Sequence, residues 1–294
     1  MKEPWGFFNQ KLSQKVRNIR WKWGVRGRKS DDVQPKKKKV LADFADVEEH
    51  AEMTLDEAKK LLIDEFQKPQ KEQDIAAMYI AQRRTFKERR SFIASNESTV
   101  KEICTRYSIL GKSRFIEKEY LLINDQVKKE EMMANWEDMI KCLNRVFEAD
   151  VTEISEMTDC DLLSCLEQVE EQIKYSAKAK AVKPLLTRCN SNNLNLSSKK
   201  TEAPRLVIAE NSDRTLNQCF VVGEGIEVDV GHNLKEAVLR LLFCYYVWDL
   251  SYPKQYQLLG LVQNYILKDR KNKFHMSANY LKFCKKLEDT PNSN

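Results

Sequence analysis

Apolar residues recur at helical spacing through the first two thirds of the chain. Leu55, Ala58, Leu61, Leu62 and Phe66 form one stripe that stops before Pro69, and Thr54 with Glu57 has the form of a capping box. The same spacing predicts a helix over 73–93, with Ile75, Met78, Tyr79 and Phe86 on its apolar side. A shorter helix is expected over 98–107, with Gly111 as its C-terminal cap, and another over 115–123. The clearest pattern is Met132, Trp136, Met139, Ile140, Leu143, Val146 and Phe147, which predicts a helix over 132–147. Leu162, Leu163, Leu166, Val169 and Ile173 place one more over 161–175.

The texture then changes. Residues 189–204, CNSNNLNLSSKKTEAP, offer almost nothing to bury and read as a linker. RLVIA (205–209) is short and β-branched, and QCFVV and IEVDV flank Gly223–Glu224–Gly225 as in a hairpin with a glycine turn. Helices are expected from Asn233, over about 253–268, and over 277–287. The pattern therefore describes a mostly α protein. It has an all-helical domain over 41–188 and a small α+β module over 205–294 with a β-hairpin and two to three helices.

One stretch, LLFCYYVWDLSYP (241–253), is denser in aromatic rings than any other. On a helix beginning near Asn233 every side is apolar from Leu241 to Asp249, and a helix apolar all round is a buried one. Base stacking would need basic residues between the rings, and 241–253 contains none. Phe243, Tyr245, Tyr246, Trp248 and Tyr252 are therefore expected in the core of the C-terminal module. Pro253 is expected to end this helix and to suit the first turn of the next.

Composition narrows the function classes. Eight glycines and seven prolines in 294 residues fit helices better than a turn-rich sandwich. The longest apolar run, 237–250, contains Arg240 and Asp249, short of what a membrane span needs. Glu3 and Pro4 stand where a signal peptide would be apolar, so a non-secreted chain is expected. The eight cysteines (104, 142, 160, 165, 189, 219, 244, 284) contain no C-x-x-C pair and read as reduced thiols.

Charge changes the picture most. Residues 1–40 hold 13 Lys and Arg against three acidic residues, a net +10, which leaves −4 of the chain's +6 for residues 41–294. Leu12, Val16 and Ile19 could form a short amphipathic turn. After Trp23 the glycines and charges argue for disorder, so 1–40 reads as a basic, largely disordered arm. Two features stand out in it. Lys36, Lys37, Lys38 and Lys39 after Pro35 match the form of a nuclear-import signal, with a solvated charge run as the plain alternative. Arg17, Arg20, Trp21, Lys22, Trp23, Arg26 and Arg28 combine charge with stacking rings, the two ingredients of sequence-tolerant nucleic-acid binding, with a cationic tail lacking a ligand as the alternative.

Catalytic signatures are few. His50, His232 and His275 are isolated, and His232 reads as a polar cap at a helix start. LGKS (110–113) has Arg106 where a phosphate loop needs glycine. Glu227 and Asp229 share one face of a strand and read as a solvated edge. Arg83, Lys87 and Arg90 share a helical face beside Arg84, where phosphate contact competes with pairing to acidic neighbours. No catalytic residue, metal or cofactor is expected.

AAMYIAQRRTFKERRSFIASNESTVKEICTRYSIL with the FIEKEY helix resembles an animal protein family from fish and invertebrates, as does RLVIAE through EGIEVDV and NLKEAVLRLLFCYYVWDLSYP to LLGLVQNYIL. Its members are often labelled sterile alpha motif domain-containing protein 3-like. The resemblance covers about residues 10–120 and 205–270; no sterile alpha motif is recognisable. It implies no site residues. Two functional readings stand. One is a non-enzymatic interaction protein with an unidentified protein partner, nuclear or else cytoplasmic, that touches nucleic acid weakly through its arm. The other is a degenerate or unrecognised enzyme related to multi-copy or mobile-element-like genes.

Overall fold

The structure is a computed structural model that describes residues 53–95, 98–124, 128–147, 157–175 and 182–289. The arm with its candidates Arg17 to Arg28 and Lys36 to Lys39 lies outside the described residues, as does His50. The chain forms two compact units that part between residues 97 and 98, and it is mostly helical with one small sheet.

Among the described residues the first unit holds the helices α1 (Leu55–Gln67), α2 (Ile75–Arg84) and α3 (Phe86–Ala94). The Thr54 side chain accepts from the Glu57 amide while the Glu57 carboxylate accepts from the Thr54 amide at 2.8 Å, closing the capping box. Glu65, 7% exposed, ties the turn after α1: its carboxylate accepts from Lys68 Nζ at 2.6 Å and from the Asp74 amide at 2.8 Å. The Lys68 ammonium, then the Asp74 amide, hold that carboxyl below its ordinary range.

The helix expected over 73–93 is two helices, parting at Thr85 (φ −90°, ψ 3°). Thr85 Oγ1 donates to Ala81 O at 2.7 Å, and Arg89, fully buried, donates to Gln82 O at 2.7 Å and to Thr85 Oγ1. Side-chain donors thus satisfy carbonyls at the bend, a recognised cause of helix bending. Arg83 therefore sits on α2 while Lys87 and Arg90 sit on α3. Arg84 Nε donates to Met53 O at 3.0 Å.

The second unit opens with α4 (Val100–Arg106), α5 (Ser113–Ile123), α6 (Lys129–Val146) and α7 (Asp159–Gln172). Thr99 with Glu102 and Thr158 with Asp161 close two further capping boxes. Strands β1 (Leu186–Asn190), β2 (Arg205–Glu210), β3 (Leu216–Gly223) and β4 (Ile226–Gly231) form one sheet in that order. β1 runs parallel to β2, and the remaining neighbours are antiparallel. Glu224 (φ 51°) and Gly225 (φ 75°) make the two-residue turn between β3 and β4, where positive φ at both positions matches the strand twist. Helices α8 (Leu234–Val247), α9 (Gln257–Tyr265) and α10 (Ala278–Asp289) follow. α8 packs on α5, α7, α9 and strands β2 to β4. Every second strand residue, on one face of the sheet, is closed off from solvent: Leu206, Ile208, Val221, Cys219, Val228 and Val230 are all 2% exposed or less.

Several boundaries differ from the sequence reading. Gly111 ends a 3-10 turn (Ser108–Gly111) rather than capping α4, whose cap is Tyr107. α8 stops at Val247, well before Pro253, because Asp249 enters the left-handed region (φ 53°) and the Leu250 amide donates back to Tyr245 O at 2.8 Å. The N-cap of α8 is Asn233, whose Oδ1 accepts from the Glu236 amide at 3.0 Å; His232 is exposed beside it. α9 begins at Gln257, so Pro253 lies outside its first turn.

The stretch 189–204 begins inside β1, and β1 on one side of it pairs in register with β2 on the other. It connects neighbouring strands of one sheet, and the compact units part elsewhere, at 97 and 98. Limited proteolysis within 191–203 is therefore expected to give a nicked protein whose two products stay associated. Size-exclusion chromatography checks it: elution of a free helical fragment would restore a domain boundary at that stretch.

Candidate functional site

The aromatic run is interior. Phe243, Tyr245 and Trp248 are 2% exposed or less, and Tyr246 and Tyr252 are half-buried. Phe243 stacks on Tyr120 of α5 (centroids 4.1 Å apart, 16° between planes), and Tyr246 meets the same ring edge-on at 5.3 Å. The polar tips are all engaged. Tyr245 OH donates to Pro204 O at 2.6 Å, Tyr246 OH to Asp269 Oδ2 at 2.6 Å, Tyr252 OH to Gln263 Oε1 at 2.9 Å and Trp248 Nε1 to Leu110 O at 3.1 Å. Burial pushes the Tyr245, Tyr246 and Tyr252 hydroxyls up, away from any acid–base role near neutrality.

Among the described residues thiol chemistry fares no better at Cys104, Cys165, Cys219 and Cys244. Burial pushes Cys104 and Cys219 up to about 12 and Cys165 up to about 11, and raises Cys244 further, whereas a reactive thiol needs a lowered value. No group of three metal-ligating side chains occurs there, and no described helix is long and apolar enough to cross a membrane. Glu227 and Asp229 are exposed on β4, and Asp229 accepts from the Gly231 amide at 2.8 Å and from Gln218.

Among the described residues two charged constellations bear on a site. The first joins Glu117, Lys129, Glu236 and Arg240. Lys129 lies 3.2 Å from both carboxylates, and Arg240 lies 2.7 Å from Glu236 and 3.6 Å from Glu117. Arg240 Nη1 also donates to Val230 O at 2.6 Å, tying α8 to β4. Over Met132, Leu239 and Phe243 these groups rim a hollow of about 10 Å³, room for roughly one water molecule. That is below the ~300 Å³ at which small-molecule sites begin. The two charges of each sign are matched, so the constellation clamps α5, α6 and α8.

The second lies at the start of β2 and was not visible in the sequence. Arg205 is 6% exposed, and its Nε and Nη1 have no hydrogen-bond partner. Around it stand Glu202, whose Oε2 accepts from Lys183 Nζ at 2.8 Å, and Tyr256, whose hydroxyl donates to Lys183 O at 3.1 Å. Glu170 of α7 accepts from the Leu185 amide at 3.1 Å, and burial raises its carboxyl above the ordinary range. The signal was period two: Arg205 shares a strand face with Val207 and Ala209, both 2% exposed. A charged first residue of a strand is ordinarily solvated, and here it is enclosed.

The aromatic interior carries a measurable consequence. Trp248→Ala is expected to cost about 3–5 kcal/mol, the range for deleting a buried large aromatic, read by urea unfolding followed by circular dichroism. A variant as stable as the parent would show that the ring does not hold the core. Comparison of the chain with protein-family models, with curated proteins and with solved structures finds no match.

Proposed function

We propose that the chain is a non-enzymatic interaction protein whose basic segment, residues 1–40, contacts nucleic acid while the folded residues carry it. The observation behind this reading is the charge asymmetry, +10 in 1–40 against −4 in 41–294. Phosphate attracts the first and is repelled by the second. Three basic groups of the second unit are also committed internally. Lys129 and Arg240 pair with Glu117 and Glu236, and Arg188 bridges Glu167 at 2.8 Å and Glu210 at 2.9 Å. Trp21 and Trp23 supply faces on which bases of any sequence stack.

Binding of this kind is sequence-tolerant and salt-sensitive. Labelled DNA and RNA should bind the full chain with Kd values on the order of 10⁻⁴ to 10⁻⁶ M at physiological salt. Replacing Arg17, Arg20, Lys22, Arg26 and Arg28 with Gln should abolish most of that affinity. On duplex DNA the salt slope should flatten by about 0.9 for each phosphate that is no longer neutralised. Equal binding by both proteins would put the site elsewhere. The nuclear address follows from the same segment: changing Lys36, Lys37, Lys38 and Lys39 to alanine should shift a fluorescent fusion toward the cytoplasm, and an unchanged distribution in cell images would refute it.

A further inference from the structure

We propose that the start of β2 is an oxyanion-binding site in which the Arg205 guanidinium is the cation. A charge enclosed to this degree is tolerated when it is paired and hydrogen-bonded, and costly when one partner is missing. Arg205 Nε and Nη1 donate to no protein group. Glu202 attracts Arg205 through space, but its hydrogen bond goes to Lys183, and that of Glu170 goes to the Leu185 amide. Glu224, buried in the hairpin turn, exerts its charge on Tyr245, and its amide donates to Glu202 O at 2.7 Å.

The neighbouring chain shows the same one-sided shortage. Thr187 Oγ1 and Ser198 Oγ are also buried without a hydrogen-bond partner. In the parallel register Thr187 stands opposite Val207, which places it on the strand face that Arg205 shares, one step along the neighbouring strand. Ser198 lies in the connection between β1 and β2, whose Lys199 and Lys200 are exposed. Each of these three side chains can donate, and none of the unpartnered buried side-chain atoms from 182 to 289 is a carboxylate or amide oxygen. What the site lacks is an acceptor. A phosphate or carboxylate group supplies several at once, and can pair with Nη2 together with either Nε or Nη1, the two forks a guanidinium offers. This inference stands apart from the nucleic-acid binding of residues 1–40, since Arg205 lies on β2 in the second unit.

Thermal unfolding of the full chain tests it, in sodium chloride and, at matched ionic strength, in inorganic phosphate or acetate. The wild type should show a rise in Tm that saturates with one of the two oxyanions. Phosphate alone would assign a tetrahedral anion, and acetate a carboxylate. Arg205→Met should lose the rise and, in chloride, melt at or above the wild type, because a buried guanidinium short of hydrogen-bond partners is gone. Thr187→Val should keep the rise but require several-fold more anion. No rise in either oxyanion, as expected if water alone satisfies Arg205, would overturn the proposal, as would an equal rise in Arg205→Met. If Arg205→Met does not fold, an unchanged anion requirement in Thr187→Val overturns it instead.

Discussion

Helix α8 is apolar around its whole circumference from Leu241 to Val247, and water must be excluded from all of it at once. No single packed layer does this. The sheet covers one side through β2, β3 and β4, while α5, α7 and α9 cover others. The sheet, α5 and α9 are each pinned near one end by a polar group that the aromatic run itself provides. Trp248 Nε1 holds Leu110 O, Tyr245 OH holds Pro204 O, and Tyr246 OH holds Asp269. Buried rings with polar tips thus bury apolar area and choose partners in the same stroke, because a hydroxyl enclosed without a partner would be penalised. Close packing extends to α9, where Phe274 lies so near Gly260 that a Cβ there would stand 2.0 Å from the ring.

How much of this the sequence revealed follows from how local each determinant is. The capping box at Thr54, the stripe from Met132 to Val146 and the β3–β4 turn are written within a few residues, and each was legible. β1 was missed because LTRCN has weak alternation, and its strand character comes from pairing with β2 fifteen residues or more away. The asparagine- and serine-rich stretch looked like a linker because its composition is that of one. Composition reports that a segment has little to bury, and it does not report whether the segments on either side belong to one sheet. The bend at Thr85 was hidden for a similar reason: helical periodicity survives a kink that side-chain donors satisfy.

Ion pairing divides the second unit's charges into two kinds. Glu117, Lys129, Glu236 and Arg240 meet at a helix junction with side chains 18–42% exposed, where solvent still screens them and the network fixes geometry more than it adds stability. Arg188 makes a two-armed contact with Glu167 and then reaches Glu210, joining α7 to β1 and β2. Such forks set register, since a slip of one residue would turn Arg188 to the opposite face.

Among the described residues two arginines are buried almost completely, and their contrast gives Arg205 its meaning. Arg89, with no exposed surface, sits at a helix bend and donates to Gln82 O and Thr85 Oγ1, groups that the bend itself presents. Its enclosure is structural, because the local backbone created the acceptors it uses. Arg205 stands at the first residue of a strand, where the backbone's acceptors are turned toward the adjacent strands, and its Nε and Nη1 have no partner. Burial of an arginine by itself therefore says little about function. A fold that encloses one cation with acceptors and another without them has either accepted a large penalty at the second or left it for a group the chain does not encode.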